Sequence, residues 1–192
     1  MKKNIKGYHG TVKANVSSIM RDGFRIEKYS FLASTLQKVP GDLGAGVYAF
    51  KDNPQNAEGF AEKFSEDVVV LKLSLELEEE YYLDMDEKDN ASLVLDIYRS
   101  KVFETLKERY ERTNKSARNR ECLDGLILEH IIHKHQLRVD LVKKNTYTRF
   151  KGLPPISQYH NGTELCIKNV EIIKEIEEHN VSNTCRSDKN GN

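Results

Sequence analysis

Three short runs each place one reactive side chain among strand-forming neighbours. Gly7-Tyr8-His9-Gly10-Thr11 supplies an imidazole, Gly44-Ala45-Gly46-Val47-Tyr48-Ala49-Phe50 a phenol ring, and Thr163-Glu164-Leu165-Cys166-Ile167 a carboxylate. A histidine beside a glycine sits where another molecule can approach the backbone closely. An aromatic face attracts a flat cation. A carboxylate at the start of an apolar strand projects into a cleft, where it can stabilise developing positive charge or take a proton from an attacking group. Each run alone also fits a plainer role: a histidine closing a strand, a turn built on two glycines, an edge-strand charge facing water.

Together, in this order and spacing, the runs resemble the His-Tyr-Glu signature of the ADP-ribosyltransferase superfamily, in the branch of the poly- and mono-ADP-ribosyltransferases that is similar to diphtheria toxin. The resemblance covers residues 5–77 and about 123–177. It implies an α+β fold of two small, mostly antiparallel sheets around an NAD cleft, with NAD+ as substrate and no metal. It implies that His9 bonds the adenosine ribose, that the backbone of Gly10, with Thr11 beside it, grips the nicotinamide carboxamide, and that Tyr48 stacks on the nicotinamide ring. Glu164 is then the catalytic carboxylate. Cleavage of the nicotinamide–ribose bond has oxocarbenium character, as glycoside hydrolysis does.

Departures from the pattern accompany it. Relatives place a second aromatic where this chain has Gly59, with Phe60 one residue later, and Asn56 stands near the position of a carboxamide-contacting serine. Arg25, in Gly23-Phe24-Arg25-Ile26, is placed to reach the adenosine or phosphate end of NAD+, and equally fits a solvated arginine. Arginine-modifying transferases carry Glu or Gln two residues before the catalytic glutamate; here that residue is Gly162, so a protein arginine is not the expected acceptor. The expected reaction is transfer of a single ADP-ribose to a macromolecular acceptor, protein or nucleic acid, by a toxin or phage-related effector that an antitoxin or inhibitor protein could hold in check. Two other readings stay open. One is an RNA 2′-phosphotransferase-like enzyme using NAD, against which Tyr48 stands in place of a histidine. The other is an inactive NAD-fold binding module.

The elements that must position these groups follow from periodicity and punctuation. Residues 5–11 predict a strand, Ala14 to Asp22 a helix stopped by Gly23, and Lys28 to Leu43 a loop. Gly46 to Phe50 predicts a strand, and Asn53-Pro54 opens a helix with Ala57, Phe60, Ala61 and Phe64 on its apolar face. Leu71, Leu73, Leu75 and Leu77 alternate within a strand over Val68 to Leu77. Residues 78–121 are highly charged, and Val94, Tyr98, Val102, Leu106 and Tyr110 recur at helical steps, which predicts a helical insertion. Leu123 to Leu128, Leu137 to Lys143, Tyr147 to Phe150 and Glu164 to Lys168 predict strands, and Val170 to Ile176 a continuing or terminal one. One domain over 1–179 with a disordered tail over 180–192 is expected.

The chain has 192 residues, 38% hydrophobic and 31% charged, with zero formal net charge. No global field therefore draws it to nucleic acid or anionic lipid. Lys6, Gly7 and His9 interrupt the place where a signal peptide would be apolar, and no run approaches membrane-spanning length. Cys122, Cys166 and Cys185 are scattered and odd in number, which fits a reducing, cytoplasmic setting, with non-classical export left open. Cys122 and Cys166 are expected to pack in the core. The group Glu129, His130, His133, His135 lacks metalloprotease order; surface histidines on a strand or short helix are expected. The cationic stretch from Lys107 through Arg118 and Arg120 is interleaved with glutamates and predicts a solvated helical face.

Overall fold

The computed structural model describes residues 1–32, 39–113 and 123–181. Seven strands form one mixed sheet: β1 (Lys2–Val12), β2 (Val47–Lys51), β3 (Val68–Glu78), β4 (Tyr82–Asp84), β5 (Leu141–Thr146), β6 (Gly162–Ile167) and β7 (Ile173–His179), in the order β4-β5-β6-β2-β1-β3-β7. Every neighbouring pair is antiparallel except β4–β5. The fold is thus α+β with a single continuous sheet, where two small sheets were expected.

The sheet is nonetheless nearly divided. β1 pairs with β3 along all of its residues, and β2 pairs with β6 from Val47 to Phe50. β1 and β2 meet in only two registered pairs, Gly7–Lys51 and Tyr8–Phe50. Past Tyr8 the two halves part, and the opening lies between His9-Gly10 and Tyr48. One sheet face carries the main core, with Leu71, Leu73, Leu75, Leu165 and Ile167 at 0–2% exposure. This is the buried side of the alternation seen in the sequence.

The described residues hold five α-helices: α1 (Lys13–Asp22), α2 (Pro54–Ala61), α3 (Lys88–Tyr98), α4 (Lys101–Arg112) and α5 (Asp124–Lys134). α1 ends as expected at Gly23, whose N–H bonds the Ile19 carbonyl; of its expected apolar face Val16 is buried and Met20 is exposed. α2 starts at Pro54, and the Asn53 side chain accepts from the Asn56 N–H, an N-cap. The helix stops at Ala61, which leaves Phe64 outside it and exposed.

The largest correction falls on Leu123 to Leu128. This run is the first half of helix α5, not a strand. Gly125, Leu126, Ile127 and Leu128 are all buried because α5 is packed on two sides. Leu128 meets Val142 and Cys166 of the sheet, while Leu126, Ile127 and Ile131 meet Leu106 of α4. An apolar run without period cannot tell a doubly buried helix from a strand. A Cβ on Gly125 would stand 1.7 Å from the Gly41 carbonyl oxygen, so only glycine lets the 41–44 turn touch this helix.

Smaller differences follow. The charged 78–121 stretch contributes β4 to the sheet edge before its helices begin, and among its described residues the helical part is two helices broken at Ser100, which caps α4. β5 starts at Leu141, later than Leu137. Tyr147 to Phe150 forms no strand. Val170–Ile172 is a 3-10 turn leading into β7. Cys122, Arg118, Arg120, Cys185 and most of the expected disordered tail lie outside the described residues. Among the described residues no helix is long and apolar enough to cross a membrane.

Candidate functional site

The parting of β1 from β2 creates the site. Asp52 N–H bonds the Lys6 carbonyl at 3.3 Å, so even-numbered residues of β1 turn their backbone groups toward β2. In this register Tyr8 with Phe50 is the next such pair and Gly10 with Tyr48 the one after, where the strands have separated. His9 Nδ1 takes the Tyr48 carbonyl instead, at 2.7 Å. Gly10 therefore turns its N–H and carbonyl into the opening.

His9, Gly10, Tyr48 and Glu164, with Phe50 and Phe60, line one small hollow of about 60 Å³. Three of the sequence-predicted residues, His9, Tyr48 and Glu164, thus border one space. Tyr48 and Phe60 also line a larger cleft of about 550 Å³, walled by Arg25 to Glu27, Tyr29, Val39 to Gly41 and Gly44 to Gly46. The cleft falls within the usual range for small-molecule sites.

Each group is held in a defined state. A carbonyl oxygen can only accept, so His9 Nδ1 carries the proton and Nε2 is the acceptor of the neutral ring. Burial pushes His9 below the ordinary value of 6.5, partly offset by the bond to Tyr48. The edge of Phe24 packs on the ring, with centroids 5.0 Å apart. The Tyr48 hydroxyl is consumed by the backbone: it accepts from Leu43 N–H at 2.9 Å and donates to the Gly44 carbonyl at 2.8 Å. What Tyr48 offers a ligand is its ring.

Glu164 lies on β6 opposite Phe50 and is 5% exposed. Its Oε1 accepts from Thr148 Oγ1 at 2.7 Å, while its Oε2 is buried with no partner among the described residues. A buried carboxylate oxygen without a donor carries a desolvation cost.

The other sequence-predicted residues take different places. Phe60 lies in the wall shared by hollow and cleft. Arg25 lines the outer cleft, is largely exposed, and pairs with Asp22 at 3.8 Å. Thr11 is buried, accepts from Asn15 Nδ2 at 3.4 Å, and lines neither space. Asn56 also stands outside both; its side chain donates to the Asn161 carbonyl at 2.9 Å and ties α2 to the entry of β6.

Sequence reasoning missed three positioning groups. Thr148 holds the carboxylate, and Asn161 holds Thr148 by bonding both its N–H and its carbonyl at 2.8 Å. Thr148 sits in an irregular segment 16 residues from Glu164, and no local signal pointed to it. Glu129, grouped in the sequence with the histidines, instead forms a nearly buried ion pair with Lys168 at 2.6 Å and accepts from Ala45 N–H at 2.8 Å. This pair clamps the turn that leads into β2 and Tyr48, with Lys168 Nζ also donating to the Ala45 carbonyl.

His130 and His133 lie on α5, and His135 closes it. Burial, with Lys134 and the two neighbouring imidazoles, holds His130 below the ordinary histidine value. Among the described residues no group of three His, Cys, Asp or Glu side chains is arranged to hold a metal ion. Cys166 packs in the core as expected; burial pushes its thiol up to about 11, which leaves it un-ionised and inert. Compared with protein-family models and with curated proteins, the chain matches no family model and no curated sequence.

Proposed function

We propose that the chain is an NAD+-dependent mono-ADP-ribosyltransferase. The observation that carries this reading is the buried Oε2 of Glu164, without a partner among the described residues, on a residue that lines the same hollow as His9, Gly10, Tyr48 and Phe60. In this reading the nicotinamide enters the hollow against the Tyr48 and Phe60 rings, whose faces favour a flat cation. The Gly10 backbone, turned into the opening, meets the carboxamide. His9 Nε2 accepts from a ribose hydroxyl, and the rest of the dinucleotide follows the outer cleft.

Glu164 Oε2 accepts from a hydroxyl of the nicotinamide ribose. As the C1′–N bond breaks, its electron pair leaves with neutral nicotinamide. The positive charge developing on the ribose is stabilised by the carboxylate. An acceptor nucleophile then bonds C1′, and its proton passes to solvent water. The test is release of nicotinamide from labelled NAD+ and transfer of label to macromolecules in cell extract, with Glu164→Gln as control. Release that is equal in both proteins, or absent from the native chain, ends the proposal.

Two further outcomes are expected. Tyr48→Phe keeps the ring but leaves the Leu43 N–H without its partner, at a cost of about 1–3 kcal/mol in denaturant unfolding. Its Kd for NAD+ should stay within about threefold of native, whereas Tyr48→Ala, which removes the ring contact, weakens binding about tenfold or more. A fall in affinity as large in Tyr48→Phe as in Tyr48→Ala would refute the stacking role.

The second concerns pH. The folded His9 titrates below 6.5, so the neutral acceptor form predominates at neutral pH. Calorimetric titration should show NAD+ affinity level at and above neutral pH and weakening as pH falls through the folded value, as Nε2 gains a proton. Stability follows the same sign: the contribution of neutral His9 is fully present above the unfolded value and is lost as pH falls through the folded one.

A further inference from the structure

The connection between α1 and β2 is long, and its described residues form no helix or strand. Connections of this length in compact domains are uncommon and need support from elsewhere. Part of it, from Arg25 to Tyr29, walls the large cleft. We propose that the α3–α4 insertion braces this wall, and that Arg109 is the positioning residue through which it does so.

The contacts are specific. Arg109 stands in the last turn of α4. Its Nε donates to the Tyr29 hydroxyl at 2.8 Å, Nη1 to the Phe31 carbonyl at 2.8 Å, and Nη2 to the Ser30 carbonyl at 3.1 Å. The same guanidinium lies 5.6 Å from the Tyr29 ring centroid and 5.4 Å from that of Phe31. Three consecutive residues are thus held by one planar fork, a geometry that lysine cannot reproduce.

α5 completes the bracket. Phe31 packs against His130 and His133 with ring centroids 5.8 and 5.6 Å apart, and against Tyr29 at 5.1 Å. α4 and α5 are joined through buried Leu106, Leu126 and Ile127. The histidine group and the charged insertion, which the site itself does not use, therefore converge on one short segment whose Tyr29 reaches the cleft. Among the described residues that segment belongs to no helix or strand, and local opening follows where regular backbone pairing is sparse.

The bracing does not depend on which ligand the cleft takes; the NAD+ readout rests on the function proposed above. Arg109→Ala is compared with the native chain by amide hydrogen exchange without ligand, by NAD+ binding, and by nicotinamide release at saturating NAD+. Exchange should rise in residues 25–32 and stay unchanged in β1, β2 and β6. If the braced wall falls to about one tenth of the population, the Kd for NAD+ rises about tenfold while the saturated rate stays within about twofold. Arg109→Lys should behave like Arg109→Ala. Tyr29→Phe, which removes one hydroxyl and keeps the ring, should give a smaller rise in exchange over the same residues, and it decides the matter if Arg109→Ala fails to fold. Unchanged exchange over 25–32 overturns the bracing, and so does full rescue by lysine or a saturated rate that falls as much as affinity. A native chain that binds no NAD+ but shows the exchange response keeps the brace and ends the NAD+ reading.

Discussion

Glu164→Gln is expected to lose about 100- to 1,000-fold of nicotinamide release while folding at least as well as the native chain. The substitution keeps the shape and keeps one oxygen for Thr148 Oγ1, which now holds Glu164 Oε1 at 2.7 Å. It removes the charge and puts an amide N–H₂ where the unpartnered Oε2 stands. An N–H₂ cannot accept from a ribose hydroxyl, so the loss should appear mainly in the saturated rate. Removing a buried charge without full pairing relieves a cost, so the melting temperature should hold or rise. Such a gain in stability with a loss of function is the signature of a group kept for chemistry. A glutamine variant that melts well below the native chain, with activity retained, would instead make Glu164 a structural partner of Thr148. Glu164→Ala is a poorer probe, because it also strands the Thr148 hydroxyl and opens a cavity.

The candidate site was more legible in the sequence than the scaffold that holds it. His9, Tyr48 and Glu164 each sit inside a strand with strong local signals, and strand pairing brings them together: Tyr48 opposes Cys166, and Glu164 opposes Phe50. β3 declared itself because one face is buried and the other is not, so Leu71, Leu73, Leu75 and Leu77 alternate with polar residues. α5 did not, because burial against both the sheet and α4 erases the polar stripe that marks a helix. The contacts that fix the site's geometry run between residues far apart in sequence and in irregular backbone. Thr148 and Asn161 flank the loop before β6, and Lys168 reaches Glu129 across 39 residues. Nothing in local periodicity encodes such pairs. Asn56 and Thr11 stand apart from the other residues that the resemblance assigned to the ligand: their side chains bond Asn161 and Asn15, and they line neither the hollow nor the cleft.

Gly10 separates these two kinds of explanation. The resemblance makes it a grip for a carboxamide, but its missing side chain already has a structural reason. A Cβ there would stand 1.9 Å from the Ala57 carbonyl oxygen, 2.7 Å from its carbon and 2.9 Å from the Ala61 Cβ. These atoms belong to α2, whose Ala57 and Ala61 are 1% and 3% exposed and pressed onto the sheet. Backbone cannot swing aside as a flexible side chain would, so Gly10→Ala must displace the helix. A cost near the upper end of overpacking, about 3 kcal/mol, should lower the melting temperature by about 6–12 °C. α2 carries Phe60 into the wall of the hollow, so the same shift should weaken NAD+ binding. Shortening the obstacle tests the cause: Ala61→Gly removes one of the three contacts and should recover part of the loss in the double variant, a coupling that independent sites would not show. If Gly10→Ala melts like the native chain yet no longer binds NAD+, the glycine is there for the ligand, and the close packing of α2 on β1 is not what fixes this residue.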